Sequence, residues 1–181
     1  MRSPKSLTKH RGAARVLTLG DFALALGVAA APADAAVPAC KTAQLVTWLN
    51  TQSNGAAGTI FYALDFTNVG AKCTLRGYPG VSAVGHAGKR LGTAATRNSI
   101  KPVKTVTLNA PNASHGTFST AHATLGIVET GVFSPSVCAP TIASGLRVFP
   151  PNQSRAAFVP FPFSACARSG AKFLSISAVA K

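Results

Sequence analysis

Apolar and polar positions alternate along much of this chain beyond residue 40. The alternation is sharpest over residues 59–67, where Ile60, Tyr62, Leu64 and Phe66 are apolar and Thr59, Asp65 and Thr67 fall between them. A period of two sends the two sets to opposite faces of an extended backbone, so this segment predicts a strand with one face in a core. Asp65, on the polar side, is expected to be solvated. Weaker versions of the pattern predict strands over residues 44–49, 81–85, 104–108, 115–125, 146–149, 156–159 and 173–179, the last with Leu174, Ile176 and Ala178 on one face.

Turn-forming residues separate these segments: Asn54-Gly55, Pro79-Gly80, Ala87-Gly88, residues 109–112 and Pro150-Pro151-Asn152. Beyond residue 40 no stretch of more than about ten residues keeps a 3.6-residue apolar stripe with caps, which leaves room for one short helix or irregular stretch around residues 126–136. About seven or eight short strands without helical crossovers predict an all-β fold, an immunoglobulin-like antiparallel β-sandwich. Trp48 is expected in its core, because single tryptophans are usually highly buried, with a surface anchor at a sheet edge as the alternative.

The first 35 residues break the pattern. Arg2, Lys5, Lys9, Arg11 and Arg15 are followed by an Ala/Leu/Val run over residues 16–31 and then by Ala33-Asp34-Ala35. That order predicts a secretory signal peptide over residues 1–35, with one domain over residues 36–181. Asp21 interrupts the apolar run, which argues against a permanent membrane span. Val37-Pro38-Ala39-Cys40 loosely matches the box before a lipid-modified cysteine, but Pro38 is atypical there, so lipid anchoring at Cys40 is the less favoured form.

Charge changes the picture next. Residues 36–181 hold thirteen Lys and Arg against only Asp65 and Glu129, a net charge of +11. Such a chain should stay monomeric and be drawn to polyanions. The densest basic segment is residues 89–104, with Lys89, Arg90, Arg97, Lys101 and Lys104 and no acid. It could meet an anionic envelope polymer or lipid head groups; it has no aromatic side chains to stack bases, so specific nucleic-acid binding is not expected. The plain alternative is a solvated loop that maintains solubility.

Four cysteines, Cys40, Cys73, Cys138 and Cys166, lie in the exported part, and an even count in an oxidising compartment predicts two disulfides. Three pairings exist. The sequential one, Cys40 with Cys73 and Cys138 with Cys166, is expected, since each bond closes a loop of about 30 residues worth roughly 3.5–4 kcal/mol. No metal and no cofactor is expected: there is no C-x-x-C, and His86, His115 and His122 lie at no zinc spacing from a cysteine.

Catalysis has little to draw on. Paired-carboxylate chemistry would need Asp65 and Glu129 to meet. No G-x-S-x-G elbow occurs, and His115 and His122, seven apart, would sit on opposite faces of one strand. The chain is therefore expected not to be an enzyme, with a secreted hydrolase as the least favoured reading.

One combination of short motifs points to a family. Gly58-Thr59, then Phe66-Thr67-Asn68-Val69-Gly70, then Cys73-Thr74-Leu75-Arg76-Gly77-Tyr78-Pro79-Gly80-Val81, and later Cys138-Ala139-Pro140, Leu146-Arg147-Val148-Phe149-Pro150-Pro151 and Cys166 resemble the bacterial secreted family named domain of unknown function 4232. The resemblance covers roughly residues 40–179. It implies an extracytoplasmic all-β domain with four cysteines, free or lipid-anchored, and carries over no catalytic residue. In the opening motif, Asn68-Val69-Gly70 is expected to turn the chain through positive φ, and Pro79-Gly80 to form a type II turn. The expected function is a secreted or envelope-associated non-catalytic module, with polyanion binding through residues 89–104 as the alternative.

Overall fold

The computed structural model describes residues 36–181; residues 1–35, where the signal peptide is expected, lie outside the described residues. The alternating segment becomes β2 (Thr59–Asn68), hairpinned to β1 (Leu45–Ala56). The hairpin loop is not Asn54-Gly55, which stays extended inside β1. Ala56 pairs with Thr59, and the two residues between them, Ala57 (φ 50°) and Gly58 (φ 75°), both adopt positive φ, the geometry of a type I′ turn whose twist matches that of the strands.

A five-stranded sheet runs in the order β1-β2-β8-β11-β6, with β8 spanning Ser119–Val128, β11 Leu174–Ser177 and β6 Thr96–Asn98. A four-stranded sheet runs β10-β9-β4-β5, with β10 spanning Ala157–Cys166, β9 Pro140–Phe149, β4 Gly80–Val84 and β5 Arg90–Leu91. A two-stranded piece, β3 (Cys73–Arg76) with β7 (Thr105–Leu108), completes an all-β sandwich. Between strands the pairing is antiparallel except for β6 with β11, which run parallel; the isolated Ala39–Thr74 bridge is also parallel. The described residues thus form eleven strands; the additions β3, β5 and β6 are two to four residues long, too short for an alternation to register.

Register explains the core. Leu64 stands opposite Ala123 and Phe66 opposite Ala121, so each large side chain of β2 meets a small one on β8 and the layer fills evenly. Ile176 of β11 continues this inner face, and Val81, Ala83, Leu146 and Val148 of the second sheet close over it in one buried cluster. At one seam the sheets are joined by aromatic rings: Tyr62 meets Phe161 edge-on at 5.2 Å, and Phe161 stacks on Phe163 at 5.6 Å.

Both disulfides form sequentially. Cys40–Cys73 closes a separation of 33 residues and Cys138–Cys166 one of 28, and all four half-cystines are fully buried. The first ties the entering chain to β3, beside which Cys40 N–H donates to the Thr74 carbonyl at 2.9 Å. The second ties the one-turn α1 (Pro135–Cys138) to the end of β10. The short helix or irregular stretch expected around residues 126–136 is a 3-10 turn at Thr130–Val132 followed by α1, after β8 ends at Val128.

The corner after β2 is built differently from the expectation. Neither Asn68 nor Gly70 takes positive φ. Instead the buried Asn68 amide donates to the carbonyls of Ala71 at 3.0 Å and Asn109 at 2.9 Å, while its Oδ1 accepts the Gly70 N–H at 3.0 Å. The side chain, not a left-handed backbone, makes the turn and joins it to the end of β7. Likewise Gly80 is extended in β4, and the positive φ of that region falls on Gly77 at 110°.

Two further expectations are corrected. Trp48 is 41% exposed: on β1 the inward residues are Leu45 and Leu49, and strand parity sends Trp48 to the outer face. Asp65 does lie on the outer face of β2, yet it is only 7% exposed, not solvated. Its direct neighbours in the register are Trp48 on β1 and His122 on β8, which flank it on that face.

Candidate anion-binding groove

On β8 the odd residues Ala121, Ala123 and Leu125 enter the core, so His122 and Thr124 face outward. The chain beyond β11 returns alongside them. His122 and Ala180 exchange backbone hydrogen bonds of 3.0 and 2.8 Å, which fixes residues 177–181 as one wall of a groove. The opposite wall is the connection from β6 to β7, which carries Lys101 and Lys104.

The resulting groove has a volume of about 530 Å³ and gathers Lys101, Lys104, Lys181 and His122 beside the apolar Ile100 and Pro102. Lys181 Nζ is anchored by the Thr107 carbonyl and Ser119 Oγ, both at 3.3 Å. Lys101 and Lys104 are exposed. Neither Asp65 nor Glu129 lines the groove, so lysines dominate its charge, although Asp65 stands beside His122 on the neighbouring strand.

The basic segment is divided by the fold. Lys89 and Arg90 sit at the β4–β5 hairpin on the edge of the four-stranded sheet and line no part of this groove. Arg97, on β6, lies over the Tyr78 ring at 5.4 Å. Of the five cations singled out in sequence, the groove brings together only Lys101 and Lys104. Lys181 and His122 join them from far along the chain, and no local pattern announced either; only the parity of β8 marks His122 as outward-facing.

Acid–base chemistry has a partial framework. Burial raises the Asp65 carboxyl above its ordinary value, and the facing His122 charge opposes that rise. Glu129 lies at the other end of the same ladder: Val128 pairs with Thr59, six residues from Asp65, or about 20 Å along the strand. The Ser177 hydroxyl in the groove accepts the Thr124 N–H at 2.8 Å and donates to the Ala178 carbonyl at 3.0 Å, so its proton goes to backbone and not to an imidazole. His115 lies in the turn before β8, not on the strand, and His86 lies in the β4–β5 loop. Among the described residues no three His, Cys, Asp or Glu side chains converge as metal ligands, and no helix is long and apolar enough to cross a membrane.

A two-layer β domain stapled by two disulfides, with cations as its convergent side chains, defines a class of domain but not an activity. The chain belongs to the family described as domain of unknown function (DUF4232), whose sequence profile matches residues 40–179. That stretch takes in all four cysteines and every strand, and ends two residues before Lys181. No curated protein and no solved structure matches the chain.

Proposed function

We propose that this protein is an exported, monomeric, non-catalytic module that binds an anionic ligand in the groove between residues 98–107 and the outer face of β8. The observation that carries this reading is the convergence of Lys101, Lys104, Lys181 and His122 around a concave surface that neither Asp65 nor Glu129 lines. Export is supported by the two disulfides and by the basic, then apolar, then Ala33-Asp34-Ala35 order of the first 35 residues. With its sulfur bonded to Cys73, Cys40 has no thiol to acylate, which favours a free domain over a lipid-anchored one.

Polyanion affinity chromatography tests the site. Lys101→Gln/Lys104→Gln should elute from heparin at clearly lower salt than the parent, whereas Lys89→Gln/Arg90→Gln should move little beyond what the loss of two charges gives any surface pair. Equal shifts for the two double variants would mean that net charge, not the groove, does the binding.

A further inference from the structure

The groove is open along one side, and the sheet face that leads away from it is unusual. Trp48, the chain's only tryptophan, stands on that face with 41% of its surface exposed. It is also held in place. The indole Nε1–H donates to Thr67 Oγ1 at 3.1 Å, and that hydroxyl is hydrogen-bonded to Thr120 Oγ1 at 3.0 Å. The polar edge of the ring is therefore satisfied within the protein, and what remains for a ligand is a fixed apolar surface.

This platform is continuous with the groove. Trp48 pairs with Asp65 and Asp65 with His122, a straight row across β1, β2 and β8, and His122 is itself part of the groove lining. Two strand spacings, about 10 Å, separate the backbones of Trp48 and His122. Thr67 and Thr120 pair in the adjacent row and place their hydroxyls beside it. A ligand lying along this row meets an apolar surface at one end, the Asp65 carboxyl with the Thr67 and Thr120 hydroxyls one row over, and the groove's ammonium groups at the other end.

On this basis we infer that the groove and the Trp48 row form one extended site for a phosphodiester-linked glycan, with a sugar ring stacked on Trp48 and a phosphate held between Lys101 and Lys104. The inference rests on the anion-binding reading of the groove and adds the chemistry of the uncharged part of the ligand. Sugar rings match the row because they combine an apolar C–H face with hydroxyls, whereas a bare polyphosphate would use only the cationic end. Single-stranded nucleic acid fits less well. Its bases call for successive stacking platforms along a cationic track, and this face offers one ring, Trp48.

Because Trp48 is the only tryptophan, its fluorescence reports on this site alone. The probes are a teichoic-acid fragment of a few repeats, the corresponding uncharged oligosaccharide, inorganic polyphosphate and oligo(dT), with affinities measured by calorimetry on folded proteins whose melting is checked. The teichoic fragment should shift Trp48 emission. Trp48→Ala should weaken its binding about tenfold and Trp48→Phe should restore most of it, while polyphosphate affinity stays as in the parent. Thr67→Val, which unpins the indole, should weaken the fragment less than Trp48→Ala does. The inference fails if Trp48→Ala leaves fragment affinity unchanged, or if oligo(dT) binds as tightly with the same dependence on Trp48; in either case the groove reading stands. If neither polyphosphate nor the fragment binds the parent protein, the groove reading fails and this inference with it.

Discussion

Asp65 and His122 are direct cross-strand partners on the outer face of the five-stranded sheet, and Asp65 is largely covered there, with 7% of its residue surface exposed. An acid held above its ordinary pKa by burial is stabilised in its protonated form, so the folded state binds that proton more tightly than the unfolded chain does. The stabilising contribution is fully present below the unfolded value of about 3.9 and is lost as pH rises through the folded value. Asp65→Asn, which mimics the protonated acid in shape and charge, should therefore raise Tm at neutral pH. The difference from the parent should shrink as the solution is acidified toward pH 4. Thermal melts across that range check it, and a variant less stable than the parent at pH 7 would contradict it.

The disulfides are the largest covalent contributions. Cys138→Ser/Cys166→Ser should lose about 3–4 kcal/mol, as should Cys40→Ser/Cys73→Ser, in denaturant titrations. Non-reducing peptide mapping should find only Cys40–Cys73 and Cys138–Cys166 links.

Asn68 tests the corner. Its buried amide bonds two carbonyls and one N–H, tying the turn after β2 to the end of β7. Asn68→Ala should cost about 2–3 kcal/mol, because the lost bonds leave buried backbone groups without partners. Asn68→Gly, if positive φ were what mattered there, would be nearly neutral; the observed conformation makes it as damaging as the alanine variant.

Arg97 separates local packing from binding. Its guanidinium lies over Tyr78 and not in the groove lining. Arg97→Gln should reduce stability by about 0.5–1 kcal/mol while changing heparin elution less than Lys101→Gln does. A larger effect on elution than that of Lys101→Gln would move the binding surface to the β6 edge.

Particular residues show which features were legible in the sequence. The inward faces of β2 and β11 could be read directly, because Leu64, Phe66, Leu174 and Ile176 alternate with polar neighbours over a full strand. The second half of β10 was hidden by Pro160 and Pro162. Both are tolerated because β10 is an edge strand and its register slips between Pro160 and Phe163, so fewer ladder donors are required of it. Trp48 was misplaced by its residue type, although the parity of Leu45 and Leu49 already pointed it outward. Asp65 followed its parity, but its burial depends on the two strands that flank β2, and no single segment encodes that. The groove was half legible: Lys101 and Lys104 stood in a basic run, while His122 and Lys181 reach it through the β8 pairing with residue 180.

The central claim is that anions bind in the groove beside His122, and amide chemical-shift mapping during titration with inorganic polyphosphate tests it most directly. Shifts clustered on residues 98–107, His122 and Lys181, weakening with added salt, are the expected result. Shifts centred on Lys89 and Arg90, or none at concentrations that saturate heparin binding, would contradict it.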